Sequence, residues 1–313
     1  MALTLSGLTI DATSLASVIN EVWRPKVERP FYASLLAGDF FVNSSDSLNA
    51  MGGDTLNIPD LFTNSFTAND KSVDDSSSPE VTLQDVAAVT IQLVVNTWKE
   101  VSYLINDKER AQALKASDYL AAYAEKALYQ VSRAMDTSLM ALQSGLSTSS
   151  NDTASDVSDP RVREAVENVV DSDVPYDELA FFFHPTVVWH DLFGISAYQA
   201  AFDYQETATG GLGNMSPVRQ RAYRGRLYGI PVFETTQVQA DTANSAFYNL
   251  IAHPRAFTYG ITMPDGNYTP RSQANYYFEA LGTLWTTDLI YGVKEVRDEC
   301  ASVIKSRQSG IVS

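Results

Sequence analysis

The sequence predicts an α+β protein, and three observations carry that reading. A stretch with helical periodicity runs for about seven turns after Ser117. Runs with two-residue alternation lie on either side of it, at residues 51–105 and again from Asn275 onward. Helices and strands therefore come in separate blocks rather than in strict alternation, and no repeat of 20–50 residues suggests a solenoid or propeller.

In chain order, Leu15, Val18, Ile19 and Val22 recur at helical spacing, with Asp11 or Ser14 as a cap and Arg24-Pro25 as the stop. Phe31, Leu35, Leu36, Phe40 and Phe41 follow as a second apolar cluster. Two readings stay open for this region: the first helix of a domain, or an arm that packs on a neighbouring chain. Gly52-Gly53 then introduces a strand through Pro59, and Thr63–Pro79 is polar. Alternation returns at Val81, Leu83, Val89, Ile91, Leu93 and Val95, and continues through Trp98, Val101, Tyr103 and Ile105. Two long strands around a polar tip make a large hairpin, which is marginal in water without a neighbour. Its tip carries Asp70, Lys71, Asp74, Asp75 and Glu80, a net acidic patch.

Asp107 can cap a short helix through Leu114, and Ser117 a long one to Gly145. Leu120, Ala124, Ala127, Val131, Met135, Ser138 and Leu142 form its apolar stripe, and its many alanines permit close packing on a sheet. Residues 147–160 read as a polar boundary or surface loop. A helix from Pro160 to Val170, a buried strand Leu179–Phe183 and a helix Val187–Phe193 opened by His184-Pro185-Thr186 come next. Beyond the glycine-rich stretch Gly210–Gly213, Arg226–Phe233 is a turn feeding a strand. Ala246–Ala252 is another strand, and His253–Phe257 a turn into a short helix. Long strands fill the rest: an alternating run through Tyr277–Leu284, then Asp288–Val296 with Gly292 inside it, then Ala301–Ile304.

Composition narrows function. The 313 residues carry 22 basic and 38 acidic side chains, a formal charge of −16, which argues against a dedicated nucleic-acid binder. Apolar residues at 45% supply real cores, and the length allows roughly two domains. The single Cys300 excludes a disulfide framework and reads as buried and inert. No secretion signal or membrane-length apolar run is evident, so a reducing cytosol is the expected site of synthesis, with no membrane partner.

Catalytic signatures are weak throughout. Gly210-Gly-Leu-Gly213 lacks the spacing of a dinucleotide fingerprint, and Gly194–Tyr198 fails as a nucleophile elbow at its last position. His184, His190 and Asp191 are the best metal candidates, but their spacing across a strand-to-helix junction does not place both imidazoles on one face, and no metal is expected. Carboxylate pairs such as Asp74-Asp75 and Asp177-Glu178 carry no weight in so acidic a chain. No cofactor and no catalytic residue is expected. Arg219, Arg221, Arg224 and Arg226 form a short basic cluster. An extended backbone would pair Arg219 with Arg221 and Arg224 with Arg226. The cluster suits phosphate or an acidic patch on another subunit, and its weak footprint favours the second.

Taken together, the order of elements resembles the major capsid proteins of tailed bacteriophages. Leu179–Thr186, Gly225-Arg-Leu-Tyr-Gly-Ile-Pro-Val-Phe233, His253–Phe257 and Tyr291–Arg297 resemble local strings of that family. The resemblance spans most of the chain and implies four regions. Residues 1–50 are an N-terminal arm and 51–105 an extended loop. Residues 106–150 with 265–313 form a peripheral domain containing the spine helix and long strands, and 151–264 form a mixed axial domain.

It further implies a non-enzymatic, self-assembling subunit of the icosahedral viral head, arranged as hexamers and pentamers around double-stranded DNA without sequence-specific binding. Assembly would take place in the host cytoplasm. A separate scaffolding protein and a portal are the expected partners, with room for a decoration protein, since the chain lacks space for a fused scaffolding domain. Lys71, alone among lysines at the loop tip, has no evident cross-linking partner, so non-covalent holding is expected. The acidic tip would meet Arg219–Arg226, or Arg110 and Lys115, on a neighbour. The alternatives are an encapsulin-like compartment of the same fold, another virion component, or, in a different class, an acidic hydrolase.

Overall fold

The computed structural model describes residues 35–51, 53–60, 68–69, 84, 89–108, 116–150, 153–199, 216–241, 245–264, 266 and 268–307. Its architecture is α+β, as the sequence predicts. The described helices are α1 (Ala37–Phe40), α2 (Ser45–Met51), α3 (Ala116–Ala141), α4 (Asp159–Val170), α5 (Pro185–His190) and α6 (Pro217–Ala222). The strands run from β1 (Val42–Asn43), β2 (Thr55–Asp60), β3 (Val89–Val94), β4 (Thr97–Asn106) and β5 (Ser149–Ser150) to β6 (Ala180–Phe183), β7 (Tyr223–Leu227) and β8 (Ile230–Glu234). They continue with β9 (Gln239–Asp241), β10 (Ala246–Ala252), β11 (Phe257–Ile261), β12 (Arg271–Tyr277), β13 (Gly282–Glu295) and β14 (Ala301–Arg307). The helix expected near Leu15–Val22, the loop tip and Gly210–Gly213 lie outside the described residues.

Two sheets organise the chain. One has the order β1-β11-β13-β12, with β4 on the other side of β13; the second has the order β5-β14-β10-β6-β8-β7, with β9 beside β10. A separate ribbon pairs β2 with β3. In β6 all four residues are buried, as suits an apolar strand covered on both faces. Phe40 packs edge-on against Phe182 of β6 at 4.9 Å between ring centroids, and Phe41 meets Phe257 of β11 at the same distance. Leu36, Phe40 and Phe41 therefore join the two sheets within this chain's own core. Truncating a ring such as Phe182 to alanine costs about 3–5 kcal/mol.

The long helix α3 forms where periodicity places it and ends in a 3₁₀ turn, Leu142–Gly145. Of its expected stripe, Ala127 and Val131 are buried while Ala124, Met135, Ser138 and Leu142 are half-buried. The deepest face includes Asp136, Leu139 and Met140, so the buried side is turned from the expected one. The helix is held to β13 by the Ser138 and Tyr291 hydroxyls, 2.9 Å apart.

Several expectations are corrected. The alternating run of 81–105 does not make one strand: it divides at Val95-Asn96, β3 pairing with β2 and β4 with β13. Alternation reports which face is buried, not which strand is adjacent. The break sits where Gly292 of β13 faces Gly260 of β11. A Cβ on Gly292 would lie 2.2 Å from the Val94 carbonyl oxygen, and one on Gly260 would touch Leu93 and Leu48. Two facing glycines thus make the flat seat on which the β2–β3 ribbon rests.

The run through Tyr277–Leu284 is a hairpin, turned by the 3₁₀ segment Phe278–Ala280 and by Leu281 at φ 44°. His253–Ala256 closes a turn that leads into strand β11, not a helix, because Phe257 pairs with Glu295. The polar surface stretch 147–160 is tied down at several described residues: Ser149 and Ser150 pair in parallel with β14, and the Ser147 and Val157 N–H groups donate to Asp298 and Asp191. Arg219 and Arg221 lie on helix α6, not on a strand, capped by Ser216 with Pro217 in its first turn.

Candidate assembly surfaces

The sequence-predicted basic cluster separates into engaged and free members. Arg219 Nε meets Asp39 Oδ2 at 2.8 Å, and its guanidinium carbon lies 5.4 Å from the centre of the Phe40 ring. It thereby ties α6 to α1. Arg224 is paired with Glu234 across the β7–β8 hairpin. Its turn residues Tyr228 and Gly229 both have positive φ, the two-residue hairpin geometry that follows the strand twist. Among the described residues Arg221 and Arg226 have no ion pair. Asp70, Lys71, Asp74, Asp75, Arg110 and Lys115 lie outside the described residues.

Exposed apolar side chains concentrate at one end of the five-stranded sheet. The β12–β13 turn presents Phe278, 77% exposed, and Leu281, 66% exposed, beside the exposed Tyr276 and Tyr277. Every residue of β12 after Arg271 is exposed. An apolar tip on an edge strand is costly in water and is usually covered by another chain. Nothing in the alternation distinguished this tip from a strand interior, so the sequence reading missed it.

The metal candidates read from the sequence are only partly brought together. His184 caps α5, its Nδ1 accepting from Thr186 N at 3.3 Å, and its ring stacks on Phe247 at 3.8 Å. Burial pushes its pKa below the ordinary histidine value. His190 and Asp191 instead fall near Asp156, with ligand atoms within 4.8 Å of one another. Asp191 accepts from Val157 N and pairs with His190, and Asp156 pairs with Arg307 at 2.8 Å. That is a structural network joining α5, the 153–157 segment and β14. Cys300 is buried, and burial pushes its thiol pKa up. Among the described residues no helix is long and apolar enough to cross a membrane.

Asp136, which the sequence reading passed over, stands out on the buried face of α3. Its signal was a carboxylate beside an apolar stripe. Burial pushes its pKa up to about 6, against the N–H groups of Gly38, Ala37 and Leu36, which favour the charge.

No protein-family model and no curated protein sequence matches this chain. Solved structures do. A chain of Mycobacterium phage Che8 is 15% identical, with a TM-score of 0.68 over 91% of this chain and 96% of its own. The capsid chain of cyanophage Pam1 is 13% identical, with a TM-score of 0.67 over 98% of this chain and 100% of its own. The SrpI encapsulin of Synechococcus elongatus is 10% identical, with a TM-score of 0.56 over 95% of each chain. The fold is that of tailed-phage capsid proteins, shared with an encapsulin.

Proposed function

We propose that this chain, folded like tailed-phage capsid proteins, is the structural subunit of a closed viral head. It assembles with copies of itself, as hexamers and pentamers, into an icosahedral shell around double-stranded DNA. The observation that carries the reading is the end-to-end likeness to the cyanophage Pam1 capsid chain, complete on that side and 98% complete on this one. The role is structural rather than catalytic, and the protein resides in the virion after assembly in the host cytoplasm. A scaffolding protein, a portal and a decoration protein are its proposed further partners.

The physical properties fit that work. A shell surrounds its genome without gripping it, and a chain of net charge −16 repels phosphate. The exposed tip around Phe278 offers apolar area for burial against a second copy. In the same reading the acidic tip residues Asp70, Asp74 and Asp75, with Lys71 among them, contact basic groups of a neighbour. Arg221 and Arg226 are the free members of the arginine cluster for that contact, with Arg110 and Lys115 as further candidates; Arg219 and Arg224 are held internally. Reversing the charge of Asp74 and Asp75 should lower particle yield, and an unchanged yield refutes that contact.

Negative-stain microscopy of the protein, produced alone and with its gene's neighbours, tests the whole reading. Icosahedral shells are expected, and monodisperse monomers at high concentration overturn it. The encapsulin likeness, with its TM-score of 0.56, supports a second reading as a cargo compartment. Particles that hold protein in place of DNA would favour that one.

A further inference from the structure

Two patches at opposite ends of strand β13 match each other in shape and charge. At one end the β12–β13 turn presents Phe278 and Leu281, with the exposed Glu279 between them. Tyr276 packs edge-on against Phe278 at 6.2 Å, and the Tyr277 hydroxyl donates to Glu279 Oε2 at 2.6 Å. The tip is an aromatic knob that carries a carboxylate.

At the other end lies an apolar groove of about 280 Å³, room for one aromatic ring. Ile58, Pro59 and Ile91 of the β2–β3 ribbon line it, together with Phe257 and Val296. Phe257 pairs with Glu295, the last residue of β13, which fixes the groove at that end of the sheet. Arg255 and Arg297 complete the lining. The chain has 38 acidic and only 22 basic side chains, so two arginines on one apolar groove form a local exception. Such a groove suits a partner that brings an aromatic anchor and an acid side by side.

The tip brings both: Phe278 supplies the ring and Glu279 the carboxylate. The 14 residues of β13, Gly282–Glu295, place tip and groove about 45 Å apart, so no copy can fill its own groove. We infer that the groove receives the Phe278–Glu279 tip of a second copy, with Glu279 paired to Arg255 and Arg297. The contact is head-to-tail, since each copy offers one tip and one groove. Contacts of that kind close into rings of identical subunits when the rotation between copies closes. The inference rests on the self-assembly reading and adds which two surfaces meet.

Charge reversal in the full-length protein tests the pairing. Glu279→Arg alone, or Arg255→Glu with Arg297→Glu, should lower shell yield about tenfold, scored by sedimentation and microscopy. Combining all three changes should restore most of the yield. Unchanged yield in the reversed variants, or no recovery in a folded triple variant, overturns the inference. Proximity is tested with all these charges kept, by mixing an Ala280→Cys protein with a Pro59→Cys protein and adding a short bismaleimide. The native Cys300 is buried. Covalent dimers are expected in the mixture, well above those from either protein alone, and this result decides alone if the arginine variant does not fold. Shells without such dimers overturn the inference and leave the shell reading in place. An unsubstituted protein that does not self-associate overturns both.

Discussion

Arg271 grips Asp288 with two nitrogens, Nε at 3.1 Å from Oδ1 and Nη2 at 2.8 Å from Oδ2, across the β12–β13 pair. From the opposite strand, β4, Trp98 Nε1 donates to the same Oδ2 at 3.1 Å. One buried carboxylate therefore fastens three strands at the point where the extended ribbon leaves the sheet. Asp288→Ala removes the carboxylate that joins the three strands and should destabilise the protein by about 3 kcal/mol. Replacing both residues with apolar side chains should recover most of that loss. Urea unfolding of the single and double variants measures both.

Gly292 is the second fixed point of the ribbon. Its Cβ position falls on the Val94 backbone, which cannot yield as a flexible side chain would. Gly292→Ala should cost about 1–3 kcal/mol through overpacking. Gly53→Ala, whose Cβ would meet nothing closer than 4.0 Å, is the control on the same ribbon. Thermal midpoints of the two variants should differ clearly, and equal midpoints would remove the seat from the account.

Asp136 gives a pH dependence whose sign follows from its raised pKa. The unfolded carboxyl loses its proton near 3.8, while the folded one keeps it to about 6. Between those values the folded state binds more protons, so stability falls as pH rises. The full loss, reached above about pH 6, is on the order of 3 kcal/mol. The groups facing Asp136 are the N–H groups of Leu36, Ala37 and Gly38, with Asp39 and Tyr259 near them. Burial raises the Tyr259 pKa above its ordinary value, so that hydroxyl stays neutral across this range. Urea unfolding at about pH 4, 5, 6 and 7 reads the slope, which Asp136→Asn should remove.

The apolar tip separates assembly from folding. Phe278 is almost fully exposed, so Phe278→Ser, alone or with Leu281→Ser, should leave the midpoint of the unassembled chain within about 1 °C. The same changes should reduce shell yield, scored by sedimentation and microscopy. Normal shells from the double variant would take this tip out of the subunit contacts.

Elements with a period of their own were legible in the sequence. Ala127 and Val131 recur at helical spacing, and α3 forms there. The apolar run Ala180–Phe183 forms the buried β6. Tyr228-Gly229 turns the hairpin where glycine made a turn cheapest. The fate of the arginines was not legible. Arg219 finds Asp39 at a separation of 180 residues, and no local spacing encodes that meeting.

The sequence by itself determined the α+β class, the long helix, most strands and the acidic character of the chain. Those follow from side-chain period and composition, which are local. Only the tertiary structure decided that the run of 81–105 serves two sheets, that Phe40 and Phe41 close this chain's own core, and that Asp136 lies buried with one oxygen unpaired among the described residues. Each of these depends on which distant surface is adjacent. Alternation and charge state that a face will be covered, but the packed chain selects what covers it.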